Sequence, residues 1–290
     1  NNDTDCGDYD IAPNGTFLAN FRDVWKDIVQ SPNFNDRFGT GGYYHADLPG
    51  VAVRLIALNA NFFSVNYKNT CGKPGPDPAL QELAWLDAEL RLAKSAGKRV
   101  WLLFHIPPGM NVFNTVESGA ACPTPQTFWK DEYAARYLAI ADKYRSTIIG
   151  SFAGHTHEDE FRIASGNFIH QTASVSPLFG NNPSFEIMGV DGKGRIAGYA
   201  KWSLPDVTLP WSREYTFAQA YGESSYTTAT LTKLAASIHS DVATRTKYFD
   251  YYTSGAAKSS AETLAAWKAY WCGITAMSGA AFTECYCVSP

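Results

Sequence analysis

Three short apolar runs, each closing on polar residues and separated by helical stretches, constrain this chain more than anything else in it. VAVRLIAL (51–58) runs into Asn59-Ala60-Asn61, RVWLLF (99–104) into His105, and STIIGSFA (146–153) into Gly154-His155-Thr156-His157. Each run has the length of a buried strand, and β-branched residues recur in them. Between the first two, Leu80, Leu83, Leu86, Leu90 and Leu92 recur at helical spacing over 79–96, and Gly97 ends the pattern. Residues 127–144 read as a second helix. Strands alternating with helices predict an α/β layered domain. In such sheets ligand sites gather at the C-terminal ends of the strands, where His105, His155 and His157 all fall.

The flanking segments extend this reading. Residues 16–30 carry Phe17, Leu18, Phe21, Val24, Trp25, Ile28 and Val29 at helical spacing, whereas 39–50 is Gly- and Tyr-rich and turn-like. Pro74, Pro76 and Pro78 make a loop. After His157 come short strand candidates at 161–163, 167–170, 185–190 and 195–202, an antiparallel run. From about residue 216 the chain reads as helical, with segments at 227–240, 246–252 and 261–274. The expectation is a layered β-sheet sandwich flanked by helices over 1–210, followed by a small helical, Cys-containing domain over 211–290.

Composition narrows the function classes. With 290 residues, 45% of them hydrophobic, the chain can bury a real core. A formal charge of −4 with no basic run gives no nucleic-acid-binding surface, and no apolar stretch reaches transmembrane length. The six cysteines form no CxxC pair, which favours disulfides and an oxidising compartment over six buried thiols. Cys71 and Cys122 bracket the HIPPG segment and are expected to pair. Asn14-Gly15-Thr16 is a glycosylation sequon. The first residue is Asn rather than Met, so a processed or cut chain is expected.

His155 and His157 stand at i and i+2, positions that share one side of an extended chain. Imidazole is the commonest nitrogen ligand for zinc-like ions. The plain alternative is two polar residues in a surface turn. His105 precedes Ile-Pro-Pro-Gly, and the prolines stiffen the loop that carries it. His45, His170 and His239 read as structural or exposed. Asn59 and Asn61 suit a cleft lining or a turn equally. Glu158, Asp159 and Glu160 suit either support for the imidazoles or a solvated acidic turn. Tyr and Trp at 43–44 and 211–215 are candidates for a substrate wall or for core.

FHIPPG and FAGHTHEDEF, in that order and separated by a helix, resemble the calcineurin-like metallophosphoesterases, and more narrowly the acid sphingomyelinase-like phosphodiesterase branch. Leu58-Asn59-Ala60-Asn61, SVSPLFGNNPSFEI (174–187) and the helical Cys-bearing tail fit that branch too. The resemblance implies a two-metal phosphohydrolase. Asn1, His105 and His155 would belong to the second metal site and His157 to the first. The ions would be zinc, with manganese or iron compatible with the same ligand types. Asn1-Asn2-Asp3 matches the remainder of the family's Gly-Asn-His-Asp/Glu motif. Asn2 then replaces the family's leaving-group His and cannot donate a proton as that His does; the same variant resembles one seen in vacuolar endopolyphosphatases. The family's Asp-x-His and Gly-Asp motifs have no counterpart before Asn1, and Gly7-Asp8 reads as a loop feature. An N-terminal segment is therefore expected to complete the site. The branch also implies a Cys272–Cys285 pair, leaving Cys6 and Cys287 for each other, or Cys6 for that segment. The expected substrates are small soluble phosphoesters, such as nucleotides or choline-phosphate conjugates. Polyphosphate, sphingomyelin and a non-catalytic metal-binding role are the alternatives. The implied location is secreted, periplasmic or lysosome- or vacuole-like.

Overall fold

A computed structural model of the chain describes residues 4, 6–71, 75–206 and 208–288. In chain order the elements begin α1 (Thr16–Val29), α2 (Pro32–Gly41), β1 (Tyr44–Asp47), β2 (Val53–Ala57), α3 (Pro78–Ser95), β3 (Arg99–Leu103), α4 (Val112–Val116), α5 (Asp131–Lys143) and β4 (Ile148–Ala153). There follow β5 (Glu160–Ala164), β6 (Asn167–Gln171), β7 (Ser184–Val190), β8 (Ile196–Ser203) and β9 (Ser212–Thr216). The remainder is helical: α6 (Phe217–Tyr221), α7 (Thr228–Ser240), α8 (Val242–Tyr252), α9 (Ala257–Ala265), α10 (Trp267–Gly273), α11 (Gly279–Thr283) and a π-helical turn at Glu284–Val288. The fold is mixed α/β, with parallel and antiparallel strand pairs flanked by helices, as the alternating pattern requires. Packing groups the residues into two compact units: 1–107 with 128–152, and 108–127 with 153–290.

In the first unit β2, β3 and β4 run parallel, and β1 lies antiparallel on the outside of β2. Parallel strands need crossovers, and α3 and α5 supply them. The sequence reason for α3 is plain. Asp77 caps it by accepting from the amides of Ala79 (2.9 Å) and Leu80 (3.4 Å), and Pro78 starts it with φ already set for helix. Its Leu83, Leu86 and Leu90 are buried. Glu82 is buried on the same helix and accepts the Asn59 amide at 2.6 Å, which holds the end of β2. Burial pushes the Glu82 carboxyl well above its ordinary range, against the effect of that amide. Trp129 is fully buried among Phe63, Phe104 and Tyr137, and its indole donates to the Ile106 carbonyl at 2.9 Å. That bond fixes the backbone one residue past His105.

In the second unit β5 and β6 form a hairpin closed by Ser165 and Gly166, both at positive φ (51° and 73°), the geometry that a two-residue turn demands. β7, β8 and β9 form a separate antiparallel sheet. Arg162 on β5 is buried, and its guanidinium donates to the carbonyls of Pro108 (2.6 Å) and Met110 (2.9 Å). Between them Gly109 sits at φ +97°, where a Cβ would lie 2.8 Å from the guanidinium. The helices pack Val112, Cys272, Ala276 and Phe282 around Met110.

Several expectations need correction. Residues 39–50 hold the end of α2 and the strand β1, not only turns. Tyr43 and Tyr44 pack on Trp85 and on Phe34 and Phe38, so tertiary burial overrides the Gly-rich local signal. Residues 212–216 form β9, which the short SREYT run does not announce. The segment 261–274 divides at Ala266 into α9 and α10 without any local breaker. The disulfides are Cys6–Cys71, Cys122–Cys287 and Cys272–Cys285. Cys272–Cys285 is therefore as the resemblance implies, whereas a Cys71–Cys122 pair and a Cys6–Cys287 pair are not formed. Cys122 meets the C-terminal tail because the loop carrying it packs with the last helices. Among the described residues no helix is long and apolar enough to cross a membrane.

Replacing Arg162 with Met removes both carbonyl contacts and leaves Glu160, 3.6 Å away, without its cation. Breaking a buried pair of this kind costs about 3 kcal/mol. Urea unfolding measures it, and a loss below about 1 kcal/mol would show that the 108–110 loop is held by something else.

Candidate metal centre

His105 lies two residues past the end of β3 in the first unit and is exposed. His155 and His157 lie past β4 in the second unit and are half-buried. Asn1 and Asn2 fall outside the described residues, so the metal-ligand and leaving-group positions assigned to them have no structural account.

The segment carrying His155 and His157 is not extended, so the same-side argument made for an i, i+2 pair does not apply. His155 has φ +78° and His157 has φ +69°, both left-handed. The Thr156 amide donates to the Gly154 carbonyl at 3.0 Å across His155. A three-residue turn with a positive central φ is strained, and such conformations cost on the order of 1–3 kcal/mol each and cluster at functional sites. The strain persists because both flanks are tied down. The Thr172 amide donates to the Ala153 carbonyl (3.0 Å), the Ser174 amide to the His157 carbonyl (3.2 Å), and the Asp159 amide to the Tyr252 carbonyl (3.0 Å).

The imidazole of His157 is partly buried. Burial holds its pKa below the ordinary histidine value, against an opposing contribution from the Ser176 backbone. The neutral ring is the form that binds a metal. Its Nδ1 is buried with no hydrogen-bond partner, and Phe179, largely exposed, covers the ring at 4.6 Å between centroids. An unpaired buried ring nitrogen and a second imidazole two residues away fit a divalent ion of the zinc, manganese or iron group.

The acidic residues after the histidines do not form a solvated turn. Glu158 and Asp159 are both buried. Burial, then the nearby Glu160 carboxylate, push Glu158 up to about 9. Asp159 accepts from the hydroxyls of Tyr199 (3.0 Å) and Tyr215, and lies 3.2 Å from the Lys201 ammonium, which is wholly buried and also donates to the Tyr251 carbonyl. Beside it His170 bridges the Glu186 carboxylate (2.5 Å) and the Tyr226 hydroxyl (2.7 Å). Asp159, His170 and Glu186 offer ligand atoms within 4.8 Å of one another. Protein groups already satisfy them: Lys201 supplies the cation, and both His170 nitrogens are engaged. This cluster is a hydrogen-bonded core. Sequence reasoning missed it because nothing in GYAKWS marks Lys201 as buried.

The remaining histidines have packing roles. His45 Nδ1 lies 2.9 Å from Glu89, and His239 lies against Trp271 at 4.2 Å. Asn59 donates to the Gly41 carbonyl at 2.9 Å and accepts from the Asn61 amide at 3.3 Å, the turn role of the two left open. Tyr215 is core, whereas Trp211 is exposed and edges against Phe185.

Burial alone would lower the His170 pKa, but the Glu186 carboxylate outweighs it and raises the value above 6.5. A raised folded-state pKa contributes stability that is complete below the unfolded value and is lost as pH rises through the folded one. The stability gap between the natural chain and His170→Gln is therefore expected to be widest below about pH 6.5 and to narrow as pH rises. Urea midpoints across that range measure it; a gap that widens with pH would contradict this electrostatic account.

No family model matches the chain. Curated relatives do. It is 27% identical over 231 residues to Sphingomyelinase phosphodiesterase D of Dictyostelium discoideum, covering 74% of this chain and 50% of that protein. It is 26% identical over 277 residues to human Acid sphingomyelinase-like phosphodiesterase 3b, covering 84% and 58%. An Endopolyphosphatase of Cryptococcus neoformans is 25% identical over 184 residues, covering 60% and 25%. Among solved structures, a 5'-nucleotidase of Staphylococcus aureus is matched at 15% identity and a TM-score of 0.27, over 60% of this chain and 28% of that one, a likeness too slight to add to the reading. The chain thus spans about half the length of the first two relatives, and its curated homologues are acid sphingomyelinase-like phosphodiesterases together with an endopolyphosphatase.

Proposed function

We propose that this chain is part of a metal-dependent phosphohydrolase, a phosphodiesterase acting on small soluble phosphoesters such as nucleotides or choline-phosphate conjugates. The observation that carries the reading is the strained turn in which His155 and His157 both take left-handed φ and His157 keeps a buried ring nitrogen unpaired. The names of the homologues support the reaction class.

His105, His155 and His157 are the proposed metal ligands here, joined by Asn1 on the strength of the resemblance. A pair of divalent ions, zinc first and manganese or iron next, would supply an activated water and neutralise charge developing on the phosphoryl oxygens. The protein's own contribution is to hold the imidazoles in fixed orientations. Burial favours the neutral form of His157, and the hydrogen bonds at Ala153, His157 and Asp159 keep the turn from relaxing. Trp129 does the same for the backbone after His105. In the proposed division of labour, 1–210 is the catalytic domain and 211–290 a helical appendage. A further N-terminal segment supplying the carboxylate ligands belongs to the same proposal. Asn2 leaves the proton donor to another group or to solvent.

Similarity to an endopolyphosphatase favours phosphoanhydrides such as polyphosphate as a second substrate class. The three disulfides support an oxidising location, secreted, periplasmic or lysosome- or vacuole-like.

The full-length protein is expected to contain two divalent ions and to hydrolyse an aryl phosphodiester. His105→Ala and His157→Ala should each lower kcat at least about 100-fold, in step with lost metal, by analogy with removal of other transition-state charge stabilisers. Elemental analysis and a chromogenic diester assay measure both; a metal-free, inactive natural protein would overturn the reading.

A further inference from the structure

We infer that Asp159 is a positioning residue for the His155–His157 turn, acting through a clamp built on β8 and β9; the inference rests on the metal-centre reading above. Asp159 stands two residues past His157, and its carboxylate is bound on both oxygens. Oδ1 accepts from the Tyr199 hydroxyl at 3.0 Å, and Oδ2 from the Tyr215 hydroxyl, with the Lys201 ammonium 3.2 Å away. The Tyr199 and Tyr215 hydroxyl oxygens also lie 2.6 Å from each other, so the two protons are shared among three close contacts. Lys201 is wholly buried and has Glu214 at 3.7 Å as its other carboxylate. The Asp159 amide is engaged as well, on the Tyr252 carbonyl at 3.0 Å.

This is far more anchoring than an acidic turn needs. A buried carboxylate must be paired, but one cation and one donor would serve. Here two strands converge on the side chain and a helix end on the amide of one residue, in a core where the aromatic partners have their own packing. What they hold is the C-terminal end of a short stretch whose other end is tied at Ala153. Between those points lie two non-glycine residues in left-handed conformation, both histidines. Without a fixed far end the backbone would relax to ordinary φ and rotate both imidazoles away from their present directions. The clamp therefore orients the ligands without reaching the reacting atoms itself.

The test is metal titration of the full-length protein, apo-prepared and followed calorimetrically with zinc, beside thermal melts of the apo form. Groups that orient metal ligands typically change affinity by about 10–100-fold when removed. Asp159→Asn should weaken both ions by about that factor, because His155 and His157 are the proposed ligands of different ions. Tyr226→Phe removes a hydroxyl from His170 in the same core, away from the turn. It should lower the melting temperature and leave zinc affinity unchanged. If Asp159→Asn fails to fold, the double variant Tyr199→Phe with Tyr215→Phe, which keeps the ion pair, should show the same weakening of both ions. Unchanged affinity in the folded Asp159 or double-tyrosine variant, while the natural protein binds two ions, would overturn the clamp alone. Equal weakening by Tyr226→Phe would also overturn it, showing only general loosening. A natural protein that binds no zinc would overturn the metal-centre reading and the clamp with it.

Discussion

Lys201 keeps its ammonium wholly inside the protein, 3.2 Å from Asp159 and 3.7 Å from Glu214. Removing such a charge from water costs several kcal/mol, so the Lys201–Asp159 pair depends on further partners for its protons and lone pairs. The Tyr251 carbonyl and the Tyr199 and Tyr215 hydroxyls supply those partners. The three-stranded sheet, the helix ending at Tyr252 and the turn after β4 are thereby fixed to one point. A hydrophobic replacement of the same volume could match the stability of this arrangement. It could not set the direction in which the turn leaves the core, and that direction decides where His155 and His157 point.

The first unit solves the equivalent problem with aromatic packing. His105 follows a strand whose Val100 and Leu102 are fully buried, and the loop after it is held through the Trp129 indole. Within the second unit Arg162 holds the carbonyls of Pro108 and Met110. In both units a polar group with no water around it meets a backbone carbonyl, and the bond locates the chain beside a candidate ligand. Imidazoles carried on an overdetermined backbone are what a site needs if ligands must be placed before an ion arrives.

The strands and helices that carry the histidines were legible because they rest on period. The apolar runs at 53–57, 99–103 and 148–153 and the leucine repeat of α3 all fold as their spacing says. The elements missed are those whose identity comes from contacts made far along the chain. β1 is a strand because Tyr44 packs on Phe34 and Phe38, and β9 because β8 pairs with it. Disulfide partners depend on which loop meets which tail, and spacing could not show that Cys122 meets Cys287. At the site, residue types and order were readable, but the conformation was not. Two left-handed histidines obey no local preference strong enough to predict, and Asp159 reads as a surface acid until Lys201 and two tyrosines are brought to it.

The proposed metal site lies at the histidine turn, whereas the Asp159–His170–Glu186 cluster is already satisfied by protein groups. The most direct measurement is a crystal structure of the full-length protein grown with zinc, with anomalous maps at the metal edge. The account predicts anomalous peaks about 2.0–2.1 Å from ring nitrogens of His155 and His157, with Lys201 still paired to Asp159. A peak between Asp159, His170 and Glu186, or histidines that carry no ion while the protein still hydrolyses phosphodiesters, would contradict it.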